Sequence, residues 1–118
     1  MNNVFISGHL GRDMDVRAEE ESGELVGELS IAINDYIGKD NAGGSKYWTT
    51  WMSAVIKGTT RVRRLQDLCT KGRKVTISGA LRTRRYRISE EKALQMPYIL
   101  VDDIEPGPLP SGPGEAQQ

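Results

Sequence analysis

One stretch of this chain, GTTRVRRLQDLCTKG at residues 58–72, repeats its apolar residues every three or four positions; the other patterned stretches repeat every two. Side chains share a helix face at the first spacing and a strand face at the second. The chain is therefore expected to be all-β with one short helix. Strands are expected at NVFISGHL (3–10), LVGELSIAINDYI (25–37), YWTTWMSAVIK (47–57), RKVTISGALRTRRYRI (73–88) and MPYILVDDI (96–104). EEESGE, GKDNAGGS and SEEK read as the connections between them. In the helix, Val62, Leu65, Leu68 and Cys69 form the apolar stripe, Thr59 or Thr60 caps the start and Gly72 ends it. Gly8, Gly11 and Gly79 suit bends in the first and fourth strands. After Glu105, PGPLPSGPGEAQQ has no apolar pattern and is expected to be disordered, which divides the chain into a domain at 1–105 and a tail at 106–118.

Alternation also assigns faces. Leu29, Ile31 and Ile33, with Met52, Ala54 and Ile56 and with Val75 and Ile77, take the inward phase. Tyr36, Trp51, Lys57, Arg82, Arg84 and Tyr86 take the outward one. Trp48 falls on the inward phase and is expected at the rim of the core. Five strands, glycine bends in the first and fourth, and one helix between the third and fourth describe a five-stranded OB-fold Greek-key barrel. Fold by itself does not establish function.

Charge narrows the function. The 118 residues have a formal net charge of zero, yet positions 57–87 hold eleven lysines and arginines against the single acid Asp67. A segregated block of this kind is an electrostatic footprint for a polyanion. Aromatics interleaved with cations on an outward face suit unpaired nucleic acid, because each base offers a ring to stack and each phosphate a charge to neutralise. Arg73 and Lys74, which open the arginine-rich strand, join the candidate set with Arg84 as phosphate partners.

Other classes are disfavoured. The chain has one cysteine and one histidine, so neither a disulfide nor a zinc site is expected, and no cofactor. It has no Ser–His–Asp set, no GxxxxGK loop and no carboxylate pair beside a base, so it is not expected to be an enzyme. No apolar run is long enough to span a bilayer and the start lacks a basic leader, so a cytoplasmic, nucleoid-associated protein without a membrane partner is expected.

The blocks NNVFISGHLGRDMDVR (2–17), ELSIAI (28–33), TTWMSAVIKG (49–58), DLCTKGRKVTISGALRTRRY (67–86) and YILVDDIE (98–105) occur together and in order. In them the chain resembles the bacterial single-stranded-DNA-binding protein family over about 105 residues, most specifically from Lys71 to Tyr86. The resemblance implies sequence-independent binding of single-stranded DNA in replication, recombination or repair. It implies stacking by Trp51, by Tyr86, and by Tyr36 or its neighbour Ile37. It also implies assembly as a homotetramer whose first strands pair across an interface holding Val4 and Ile6. Lys57 departs from the pattern, standing where many members have a further stacking aromatic. The family's acidic tip, which recruits replication and repair proteins, has no counterpart in PSGPGEAQQ. Two rival readings are a dimeric primosomal replication-restart protein, separable by native mass, and an OB-fold serving only protein assembly, separable by a gel shift with oligo-dT.

Overall fold

The computed structural model describes residues 1–108. Its elements are β1 (Val4–Leu10), β2 (Asp15–Ala18), β3 (Leu25–Lys39), β4 (Ser45–Lys57), α1 (Thr59–Gln66), β5 (Lys74–Arg87) and β6 (Ala93–Pro106). Hydrogen-bonded neighbours run β1-β5-β6-β4-β3-β2, and β1 pairs again with β3 at His9–Ala32 and Leu10–Ile31. β4 and β6 run parallel and every other pairing is antiparallel. The order and the lone helix between β4 and β5 are those of an OB-fold, as expected.

The expected five strands are present, and a sixth, β2, was not foreseen. Its DVRA is only four residues long, with Val16 and Ala18 alternating too briefly to mark a strand, and it forms because the turn after it brings it against Leu25–Glu28. The helix also differs at both ends. Gly58 occupies the N-cap with no side-chain cap, while Thr59 Oγ1 accepts a hydrogen bond from the Leu25 N–H at 3.0 Å. The helix stops at Gln66, well short of Gly72, and buries Val62 and Leu65. Leu68, expected on the apolar stripe, lies beyond it and is partly exposed.

The inward phases of β3, β4 and β5 meet in one core, in which Leu29, Ile31, Ile56, Val62, Val75, Ile77 and Ile99 are fully buried together with Cys69. Two bends let the strands cross closely. A Cβ on Gly8 would run into the Ala32 carbonyl where β1 meets β3, and one on Gly79 would run into the Leu100 carbonyl beside the irregular β5–β6 register. Only glycine permits either approach.

Packing adds to two expectations. The side chains of Val4 and Ile6, the residues expected at a subunit interface, are partly buried against the core of their own chain. Alternation puts Phe5 outward, 77% exposed. The domain boundary also moves. Pro106 pairs with Val75, and the Gly107 N–H donates to the Lys74 carbonyl at 2.7 Å, so both belong to the folded domain. The rest of the expected tail, from residue 109, lies outside the described residues.

Both long hairpins overrun the barrel. Among the described residues no third strand is paired beyond Ile33 in β3 and Thr50 in β4, and beyond Leu81 in β5 and Ile99 in β6 the same holds. Each overrun is a two-stranded arm with no core to cover. That is why Trp48, expected at the core rim, is 66% exposed on the β3–β4 arm.

Candidate nucleic-acid interface

Residues directly opposite across a ladder share a face, so the register maps the outward surface. Across β3 and β4 the outward pairs include Tyr36–Tyr47, Asn34–Thr49, Ala32–Trp51, Glu28–Val55 and Val26–Lys57. Across β5 and β6 they are Arg82–Tyr98, Arg84–Met96 and Tyr86–Leu94. One row crosses four strands, from Lys74 through His9 and Ala32 to Trp51.

Trp51 is 60% exposed, and its ring lies over Gly11, where even a Cβ would collide with it. Tyr36 and Tyr47 stand edge to face with ring centroids 5.8 Å apart, both mostly exposed. Tyr47 was not among the expected residues, although it shares the phase of Trp51 and extending the same count would have found it. Tyr86 is exposed and Lys57 points outward as expected. Val55, on the same phase, is nevertheless buried, because it lies between Glu28 and Leu100 of the neighbouring strands.

Three of the eleven cations in the basic block are already engaged. Arg61 Nη2 donates to the Asp102 carbonyl at 3.0 Å and, more weakly, to that of Val101. Arg73, expected to meet phosphate, is 8% exposed, and its Nε donates to the Gly107 carbonyl at 2.8 Å. Its place in the candidate set is withdrawn: a guanidinium buried to hold the end of β6 is out of reach of a bound strand. Arg84 is exposed along only part of its length and ion-pairs with Glu28, Nη2 to Oε2 at 2.7 Å. Arg17 meets the same carboxylate from β2 at 3.2 Å. Burial opposes charge on Glu28, but the hydrogen bonds and charges of Arg84 and Arg17 outweigh it and hold its carboxyl below the ordinary value. Burial likewise opposes charge on Arg84, and Glu28 outweighs it, so the guanidinium is held even more firmly protonated. Arg82, Arg85 and Arg87 remain exposed, with Arg82 on the outward face and the other two on the opposite phase.

The Arg84 guanidinium carbon also lies 5.4 Å from the Tyr86 ring centroid and 5.0 Å from that of Tyr98. Cavities open on both sides of it. One, of about 390 Å³, is lined by Arg17, Val26, Val55, Lys57 and Tyr98, with Glu19 and Glu20 alongside. The other, of about 330 Å³, is lined by Ser53, Tyr86, Leu94, Met96 and Pro97. Among the described residues no three metal-ligating side chains converge, and no helix is long and apolar enough to cross a membrane. Chemically, the face offers exposed rings for stacking and a few unpaired cations, with one acid at its centre that is already neutralised.

Comparison with known proteins agrees with this geometry. A model described as the single-strand binding protein family matches residues 1–106. A single-stranded DNA-binding protein of Clostridium perfringens (strain 13 / Type A) is 27% identical over 105 residues. The match takes in 89% of this chain and spans 65% of that relative's length. Among solved structures, a Plasmodium falciparum SSB complex with ssDNA superposes with a TM-score of 0.73 at 23% identity, covering 90% of this chain and 92% of the other. A deletion mutant of the single-stranded DNA binding protein from Thermus aquaticus gives 0.71 at 23% identity, covering 98% and 53%. At such identities the two structures establish a shared fold.

Proposed function

Because the chain belongs to the single-strand binding protein family, we propose that it coats single-stranded DNA with little sequence preference, in replication, recombination or repair. The observation that carries this reading is the outward face itself, with Trp51, Tyr36, Tyr47 and Tyr86 exposed together and Lys57, Lys74 and Arg82 around them. Stacking is tolerant of sequence because every base has a π face, and it demands unpaired bases. The named relatives are described as proteins for single-stranded DNA, and that supports the same ligand here. The reading is of a binding protein without a catalytic step, acting in the cytoplasm on the nucleoid.

The protein acts as a homo-oligomer in this reading, a tetramer by likeness to its family. Among the described residues nothing pairs with β1 from Val4 to Gly8 on the side away from β5, and the exposed Phe5 lies in this stretch. An unpaired edge of this kind is a template for a second chain. Phe5→Arg is expected to lower the native mass measured by light scattering while leaving the subunit folded, and an unchanged mass places the contact elsewhere.

Titration of intrinsic tryptophan emission tests the function. Oligo-dT is expected to quench strongly and a duplex of equal length weakly. Equal quenching by both refutes base stacking as the mode of binding.

A further inference from the structure

Tyr98 is a ring on the outward face of β6 to which no stacking role has been given. It sits opposite Arg82 in β6, and it shares with Tyr86 a single guanidinium, that of Arg84, within cation–π distance of both rings. Arg84 is in turn fixed by Glu28 on β3. Each tyrosine thus lines its own cavity, with Arg84 bordering both.

We propose that Tyr98 is a further nucleobase-stacking platform, held in register with Tyr86 by Arg84 acting as a positioning residue rather than a phosphate ligand. This rests on the single-strand-binding reading above. The Tyr98 cavity suits a base by its composition: Val26 and Val55 supply apolar surface beside the ring, and its volume lies at the lower end of small-ligand sites. Glu19 and Glu20 line it too and offset two of its three cations, Arg17, Lys57 and Arg84, so the cavity carries little net charge and accepts a neutral base. Lys57, at the same cavity, is placed for the phosphate of the nucleotide whose base enters. Arg84 contributes geometry. Its charge is already matched by Glu28, so a bound strand gains little from it electrostatically. A guanidinium also packs flat against a ring as an ammonium does not.

The test uses the wild-type protein first, cross-linked by light to oligo-dT carrying 5-iodouracil and mapped by mass spectrometry. Cross-links at Tyr98 are expected; cross-links confined to other residues overturn the proposal. Affinity across a salt series then separates the roles. Tyr98→Ala is expected to lose about tenfold at every salt concentration, while Tyr98→Phe keeps wild-type affinity. Arg84→Ala and Arg84→Lys are both expected to weaken binding with the salt slope unchanged. Full rescue by Arg84→Lys, or a slope flattened by about 0.7 in Arg84→Ala, makes Arg84 a phosphate ligand and overturns its positioning role. If the wild-type protein ignores oligo-dT altogether, the failure lies in the functional reading beneath and not in the placement of Tyr98.

Discussion

The two arms present aromatic rings on one continuous face, but they hold them by different means. On the β3–β4 side, Tyr36 and Tyr47 support each other edge to face on the arm, and Trp51, just inside the barrel opposite Ala32, is supported by the bare backbone of Gly11. No charged group is shared among them in the ion pairs or cation–π contacts of this face. On the β5–β6 arm, Tyr86 and Tyr98 share one arginine, which is tied across to Glu28 on β3. The first holds its rings by packing and leaves them exposed. The second draws on its own basic charge to set its rings, so its positive charge in sequence overstates what a phosphate would meet.

The largest effect expected from this contrast is at Trp51. Trp51→Ala removes a platform that nothing else replaces and is expected to weaken binding by about 1–3 kcal/mol at every salt concentration, in fluorescence-anisotropy titrations with labelled oligo-dT. Gly11→Val acts in the same direction by displacing the indole it would collide with. A loss that shrinks with rising salt breaks the picture of a ring held without charge.

Next in size is the difference between two arginines nine residues apart, Arg73 just before β5 and Arg82 within it. Arg82 has no ion pair among the described residues and faces outward, so Arg82→Ala is expected to flatten the slope of log affinity against log salt by about 0.7. Arg73→Ala leaves that slope intact. It instead lowers stability by about 1 kcal/mol in urea unfolding, because the part-buried hydrogen bond to the Gly107 carbonyl is lost. The reverse pattern exchanges their roles.

Tyr47→Ala sharpens the comparison further. It removes the edge-to-face support of Tyr36 as well as its own ring, and a loss in affinity of about 0.5–1.5 kcal/mol is expected in the same titration. No loss at all confines the binding face to the barrel and excludes the arm.

The smallest effect concerns Glu28. Its carboxyl titrates lower in the folded protein than in the unfolded chain, so the stability it contributes is complete above the ordinary carboxylate value. That contribution is lost as pH falls through the lowered one. Wild type should therefore exceed Glu28→Gln in Tm at neutral pH by no more than about 4 °C, with the gap closing in acid. A gap that widens in acid contradicts the assigned ion pair.

Much of the fold could be read from alternation, because a residue's face depends on its neighbours two positions away. Leu29, Ile31, Ala54, Ile56, Val75 and Ile77 are buried where the phase put them, and Trp51 and Tyr86 are outward. What could not be read depends on partners far along the chain. Arg84 meets Glu28 across 56 positions and Arg73 meets Gly107 across 34, and no local pattern distinguishes these arginines from Arg82. Phase also fails where the barrel ends: Trp48 and Leu81 keep the inward phase but have no interior to enter. On β1, apolar residues on both phases left only the packed core to show that Phe5 is the outward one and that Val4 and Ile6 turn inward. Tyr47 and Tyr98 were legible by the same phase count that found Trp51.

The two tryptophans lie on opposite faces of β4, three residues apart, and this allows the central claim to be tested within one strand. Trp48→Phe leaves Trp51 as the only tryptophan, and Trp51→Phe leaves Trp48. Each variant is titrated with oligo-dT while tryptophan emission is followed. Stacking on the outward face predicts that the emission of Trp51 is strongly quenched and that of Trp48 nearly unchanged. Strong quenching of Trp48 with Trp51 unaffected would put the nucleic acid on the other side of the sheet and contradict the assigned face.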